Sequence, residues 1–295
     1  MKRSARPLVL LGAMVLLVAA AAPASAESEG HSYLALGDSI PFGFNPALWS
    51  DASNFVGFPE IVAQRLNVED VNASCPGEAT GSFISLTGTD NGCRDYRFAL
   101  NEPLHVDYAG AQLAFAVAYL ASHKRTRLVT LMLGANDLGR WLTDCGQVPP
   151  GPTCALGFDG MLAVMRSNLD LIFTKLRATG YTGLIVAVNY PALNYKDPFF
   201  VDLALALDSQ IEAAAANHGV LIASEFEAAA QASASANGDI CAAGLQLPAF
   251  PPGTPGCDIH PSAKGRDLLA ETVMNSVASS CPARDPIGCL DRSAP

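Results

Sequence analysis

Short apolar runs alternate with longer stretches of helical periodicity along this 295-residue chain, and no other feature constrains its fold as tightly. Strands that pair in parallel need a long crossover between them, and an amphipathic helix supplies it. Runs of strand length occur at 32–36, 68–72, 128–133, 184–188 and 220–223. Helices are predicted between them over 59–66 and about 109–122. A third is the clearest: Leu162, Met165, Leu169, Ile172, Phe173 and Leu176 recur at helical spacing until Gly180 stops the pattern. Asp197 and Pro198 read as the cap and first turn of the next helix, which ends near Gly219. A last helix is predicted from Pro261, with Leu269, Val273 and Val277 on its apolar stripe. The expectation is an α/β fold built on a parallel five-stranded sheet.

The segments 45–58, 81–107, 139–158 and 237–259 carry most of the Gly, Pro and Cys and read as loops over the carboxyl edge of that sheet. All eight cysteines, Cys75, Cys93, Cys145, Cys154, Cys241, Cys257, Cys281 and Cys289, fall after residue 26. Residues 1–26 have the form of a secretory signal peptide: Lys2, Arg3 and Arg6, an apolar run, then Ala24-Ser25-Ala26. An even cysteine count in an exported chain points to disulfides. Neighbour pairing is expected: Cys75–Cys93, Cys145–Cys154, Cys241–Cys257 and Cys281–Cys289. Zinc is disfavoured, since there is no Cys-x-x-Cys pair. Residues 27–295 are read as one secreted domain with a disulfide-linked tail, acting as a monomer with no integral membrane segment. Loss of Lys2, Arg3 and Arg6 takes the formal charge from −10 to −13, which argues against nucleic acid as a partner.

The first strand runs into Gly37-Asp38-Ser39. A serine leaving a strand on such a turn is exposed at the carboxyl edge, where open α/β sheets carry chemistry. It needs a base from elsewhere in the chain. His31, His105, His123 and His218 read as solvated or structural, whereas His260 precedes Pro261 at the predicted entrance of the last helix. That end of a helix disfavours an imidazolium and keeps the ring neutral, as a base requires. Gly77 and Asn136, the latter within Gly134-Ala135-Asn136-Asp137, offer hydrogen-bond donors beside the N–H of Ser39. Asn72-Ala73-Ser74 also matches a glycosylation sequon. There is no Gly-x-Ser-x-Gly elbow, no phosphate-binding loop and no dinucleotide fingerprint, so no cofactor is expected.

Taken in order, Gly37-Asp38-Ser39, Gly77, Gly134-x-Asn136-Asp137 and Asp258-Ile259-His260-Pro261 resemble the blocks of the SGNH, or GDSL, hydrolases, across about residues 32–275. The resemblance implies a three-layer α/β/α sandwich with a flavodoxin-like parallel sheet. It implies Ser39 as nucleophile, His260 as general base and acid, and Ser39, Gly77 and Asn136 as the oxyanion hole. The family's acid usually stands three residues before the histidine, and that position here is Cys257. Asp258 is displaced by one, so the sequence allows a Ser39–His260–Asp258 triad or a dyad whose histidine is oriented by the Cys257 carbonyl. The displacement favours the dyad.

The expected activity is a secreted serine esterase or lipase acting on small-molecule or lipid esters of short to medium acyl chains. Phe42, Phe44, Trp49, Trp141, Tyr190, Tyr195 and Phe250 are candidates to line an acyl groove. A carbohydrate acetyl-esterase of the same fold and a silent extracellular binding protein are the rival readings.

Overall fold

A computed structural model of the chain describes residues 30–49, 54–146 and 149–280. The expected signal peptide, residues 1–26, lies outside them, and so do Cys281 and Cys289, the expected fourth disulfide pair, with the tail that it was expected to hold. Five parallel strands form the sheet: β1 (Ser32–Gly37), β2 (Glu69–Asn72), β3 (Thr126–Met132), β4 (Leu184–Val188) and β5 (Leu221–Ala223). Their order is β2-β1-β3-β4-β5, the flavodoxin-like order. Every residue of β1 is buried, as a central parallel strand covered on both faces requires.

Ten α-helical segments accompany the strands among the described residues: α1 (Ser39–Phe42), α2 (Phe58–Leu66), α3 (Thr80–Ile84), α4 (Gln112–Ser122), α5 (Ala135–Cys145), the single turn α6 (Pro152–Ala155), α7 (Phe158–Ala178), α8 (Pro198–Ala216), α9 (Glu225–Ser233) and α10 (Ala263–Ser280). Helices α2, α9 and α10 pack together on one side, and α4, α7 and α8 on the other, which makes three layers. All six apolar residues predicted for the core face of α7 are buried. Asp197 caps α8 by accepting a hydrogen bond from the Phe199 N–H. The expected α/β/α architecture is the observed one.

Three local expectations are corrected. Helix α5 runs through Gly139, which reads as a breaker in sequence, so part of the predicted 139–158 loop is helical. Helix α9 follows β5 directly, started by Ser224, whose hydroxyl accepts from the Glu227 N–H. The last helix begins at Ala263 rather than Pro261, because 257–261 is extended. This strand, β7 (Cys257–Pro261), pairs antiparallel with β6 (Gln246–Pro248) inside the predicted 237–259 loop. Among the described residues three disulfides join the expected neighbours, Cys75–Cys93, Cys145–Cys154 and Cys241–Cys257. The expected Cys281–Cys289 bond is not among them, since both of its cysteines fall beyond residue 280.

Candidate active site

The strand order reverses between β1 and β3, and ligands of open α/β sheets bind in the crevice at such a point. Gly37 closes β1 there with φ of 137°. A Cβ at this position would stand 2.1 Å from the Met132 carbonyl oxygen, so backbone contact with β3 admits only glycine. Asp38 then turns the chain: its carboxylate accepts from the Ile40 N–H at 2.9 Å and from the Tyr190 hydroxyl at 2.6 Å. Burial pushes this carboxyl up to about 6, against the lowering effect of those two donors. Ser39 is thereby fixed as the first residue of α1, at the carboxyl end of β1.

His260 reaches Ser39 from 221 positions away. The Ser39 hydroxyl lies 2.9 Å from Nε2, and both residues are buried. On the other side of the ring, Nδ1 lies 2.5 Å from Asp258 Oδ1, which also accepts from the His260 backbone N–H at 2.9 Å. Alternate residues of an extended strand share a face, so Asp258 and His260 point the same way along β7 while Ile259 faces solvent. The one-residue displacement therefore does not carry the carboxylate away from the imidazole. His260 sits in this strand and not at a helix start. Burial raises the Asp258 carboxyl, but the hydrogen bonds and charge of His260 outweigh it and hold the group below its ordinary value.

Gly77 approaches from the loop after β2, and Asn136 from the first turn of α5. Gly77 has φ of 79°, and a Cβ there would stand 2.7 Å from the Asn91 carbonyl oxygen. The Asn91 N–H donates to the Gly77 carbonyl at 3.1 Å, and the Asn91 side-chain amide donates to Asn136 Oδ1 at 2.8 Å. Asp137, one residue on, accepts from the N–H and hydroxyl of Thr80 at 2.9 and 2.6 Å. Burial pushes the Asp137 carboxyl up, against those donors. The Cys75–Cys93 disulfide spans this loop, so the two sulfurs beside Glu78 are bonded to each other and are not metal-ligating thiolates.

Gln112 joins the two halves. Its side chain accepts from the Gly37 N–H at 2.7 Å and donates to the Gly37 carbonyl at 3.0 Å, as a neighbouring strand would. The same amide nitrogen lies 3.1 Å from Glu78, whose carboxyl burial pushes up to about 7. Sequence reasoning named none of Asn91, Thr80 or Gln112. Each is a polar residue without a motif, and only its long-range partner reveals it. Asn72 is not a glycan acceptor: it is 2 % exposed and its amide donates to Pro41 and Glu60.

Of the seven aromatic candidates, only Phe44 stacks on the site, with its ring 5.0 Å from that of His260. Trp49 meets Phe44 edge-on at 5.2 Å and is partly exposed. Phe42 packs internally with Phe55 and Tyr96, and Trp141 meets Phe158. Tyr190 holds Asp38, Tyr195 donates to the Phe226 carbonyl, and Phe250 is half exposed.

The sheet order and a serine–histidine contact at its switch point define a hydrolase class with a three-layer α/β/α scaffold. The chain belongs to the GDSL-like lipase/acylhydrolase family, which it matches over residues 35–268, a span holding Ser39, Gly77, Asn136, Asp258 and His260. Similar solved structures include phospholipase A1 from Streptomyces albidoflavus NA297, at 20 % identity and a TM-score of 0.53, covering 84 % of this chain and 99 % of that one. A Bacillus subtilis protein is similar at 13 % identity and a TM-score of 0.52, over 85 % of this chain and 57 % of the other. At such identities the likeness is one of fold. No curated protein sequence matches the chain.

Proposed function

We propose that the chain is an exported serine esterase of lipase type that works as a monomer through an acyl-enzyme on Ser39. The observation that carries this reading is the continuous series from Ser39 Oγ to His260 Nε2, and from His260 Nδ1 to Asp258. Ser39 Oγ attacks the ester carbonyl carbon while its proton passes to Nε2 of His260. The Asp258 carboxylate accepts the Nδ1–H bond, fixes the tautomer and stabilises the imidazolium that forms. The N–H groups of Ser39 and Gly77 and the Asn136 amide receive the oxyanion. Collapse expels the alcohol, which takes the proton from Nε2, and leaves the acyl group on Ser39. Water then attacks the acyl-enzyme with His260 again as base, and the carboxylic acid departs.

Phe44 beside His260, with Trp49 edge-on behind it, forms an apolar wall, which supports an acyl group of short to medium length as the substrate part held there. Export rests on the 1–26 leader, and cleavage would leave Glu27 as the first residue, testable by N-terminal sequencing of the exported protein. A fourth disulfide, Cys281–Cys289, belongs to the same reading, and a mass-spectrometric map of the unreduced protein that finds either thiol free would remove it.

Rates on p-nitrophenyl esters of rising chain length, with Ser39→Ala alongside, test the reading. Turnover of short and medium esters is expected, with a loss of at least ~10³-fold in the variant. A wild type inert on all esters, or an unimpaired Ser39→Ala, would overturn it. A strong preference for acetylated sugars would replace it with the carbohydrate acetyl-esterase reading.

A further inference from the structure

We propose that Asn91 is a positioning residue that decides which end of the Asn136 amide faces the substrate. The proposal rests on the reading of Asn136 as an oxyanion donor.

A side-chain amide carries a carbonyl and an NH2 group of nearly the same shape at its two ends. The torsion that exchanges them is soft and roughly two-fold. Only the NH2 end stabilises an oxyanion, and the carbonyl end repels one. An asparagine in that role therefore needs a second group to remove the ambiguity. Asn91 supplies it by donating from Nδ2 to Asn136 Oδ1 at 2.8 Å, which assigns the carbonyl end to the protein. The NH2 end is the one left for the substrate.

Asn91 is itself held without using that side chain. Its backbone N–H donates to the Gly77 carbonyl, and its own carbonyl lies against the Gly77 Cα. The disulfide between Cys75 and Cys93 ties the loop two residues before Gly77 on one side and two residues after Asn91 on the other. One residue thus meets both donor positions through separate groups, the backbone for Gly77 and the side chain for Asn136. Replacing the side chain leaves the Gly77 contact in place and isolates the effect on Asn136.

The test compares Asn91→Asp, Asn91→Ala, Asn136→Ala and the Asn91→Asp/Asn136→Ala double variant in the full chain, with Ser39→Ala as the reference for lost chemistry. At neutral pH the introduced carboxylate accepts from the Asn136 NH2 group and turns the carbonyl end to the substrate. The expected result is a fall in kcat of ~10²-fold, the scale of losing one oxyanion donor, with KM changed less than a few fold. Asn91→Ala, which leaves the amide free to take either orientation, loses less. That ranking is the reverse of what a packing role predicts, since Asp has the shape of Asn and Ala leaves a gap. In the Asn136→Ala background, Asn91→Asp has no further effect on kcat.

A wild-type kcat in Asn91→Asp overturns the proposal. So does a loss from Asn91→Asp that persists undiminished when Asn136 is absent, or a larger loss from Ala than from Asp. If Asn91→Asp does not fold, by its thermal melt, the Asn91→Ala cycle with Asn136→Ala decides on the same criterion of non-additivity. An active Ser39→Ala variant would instead remove the esterase reading itself, and an unimpaired Asn136→Ala would remove the donor role on which this proposal stands.

Discussion

The two halves of the site meet at one edge of one sheet, yet they are held in different ways. In the proposed reacting half, His260 touches Ser39 on one side and Asp258 on the other, and the three come from two short segments, the start of α1 and strand β7. In the proposed donor half, Gly77 and Asn136 do no proton transfer and are backed by a polar frame: Asn91, Thr80 through Asp137, and Gln112 through Gly37 and Glu78. In the proposed mechanism the first half passes the Ser39 proton to His260, while Asp258 stays a carboxylate and holds the ring. The second, as the proposed oxyanion hole, has to be rigid before the reaction starts, since preorganised donors are what lower the barrier. Direct contact suffices for the first, and a buried polar frame is required for the second.

The largest expected effect lies in the reacting half. His260→Ala should cost at least ~10³-fold in kcat, and a mild loss would break the division between the halves. Asp258→Asn should cost ~10³-fold, because the amide no longer fixes the tautomer. A loss of a few fold would instead make Ser39 and His260 a dyad, the arrangement favoured by the displaced position of Asp258 in sequence. Asn136→Ala should cost ~10²- to 10³-fold in kcat with little change in KM.

Gln112→Ala sharpens the contrast through stability. It leaves the buried Gly37 N–H without its partner, at roughly 1–3 kcal/mol, while the Gly37 carbonyl keeps the Cys75 N–H as donor. Denaturant melts should show a loss of that order, and an unchanged midpoint would mean that the frame is dispensable.

The smallest effect is one of pH, and Glu78 and Glu225 contribute to it with the opposite sign to Asp258. Burial pushes Glu78 up to about 7 and Glu225 up to about 8, from an ordinary value of 4.5. The folded state therefore binds those protons more tightly than the unfolded one. Their contribution to stability is complete below pH 4.5 and is lost as pH rises through about 7 to 8. Asp258 is lowered, so its contribution is present above its unfolded value and is lost as pH falls through its folded one. Tm should fall as pH rises from about 5 to about 9, and Glu225→Gln should flatten that fall. A Tm that rises over the range would contradict the presence of these buried, proton-holding carboxyls.

The same division explains what the sequence could reveal. Runs of strand length located all five strands; β4 is an uninterrupted hydrophobic segment, as burial on both faces requires, whereas the edge strand β2 carries only Val71 as an apolar residue. Three neighbouring cysteine pairs followed from spacing alone, while the pair Cys281–Cys289 lies outside the described residues. Helix α5 did not follow, because Gly139 sits within it. Counting residues rather than faces misplaces Asp258: two residues apart on an extended strand is the same side, and nothing local announces that β7 is extended. Gln112 opens the Ala-rich helix α4 without any motif around it, and its partner Gly37 lies 75 positions earlier. Residues that react carry motifs, while residues that orient them carry only partners.

The central claim is that Ser39 forms the covalent intermediate. The most direct test treats the folded protein with a fluorophosphonate, whose phosphorus accepts Ser39 Oγ as fluoride leaves, and maps the adduct by mass spectrometry. One adduct on the peptide holding Ser39, appearing as esterase activity is lost and absent from Ser39→Ala and His260→Ala, is the predicted result. Full activity after exposure, or an adduct on another residue that accounts for the inhibition, would contradict the account.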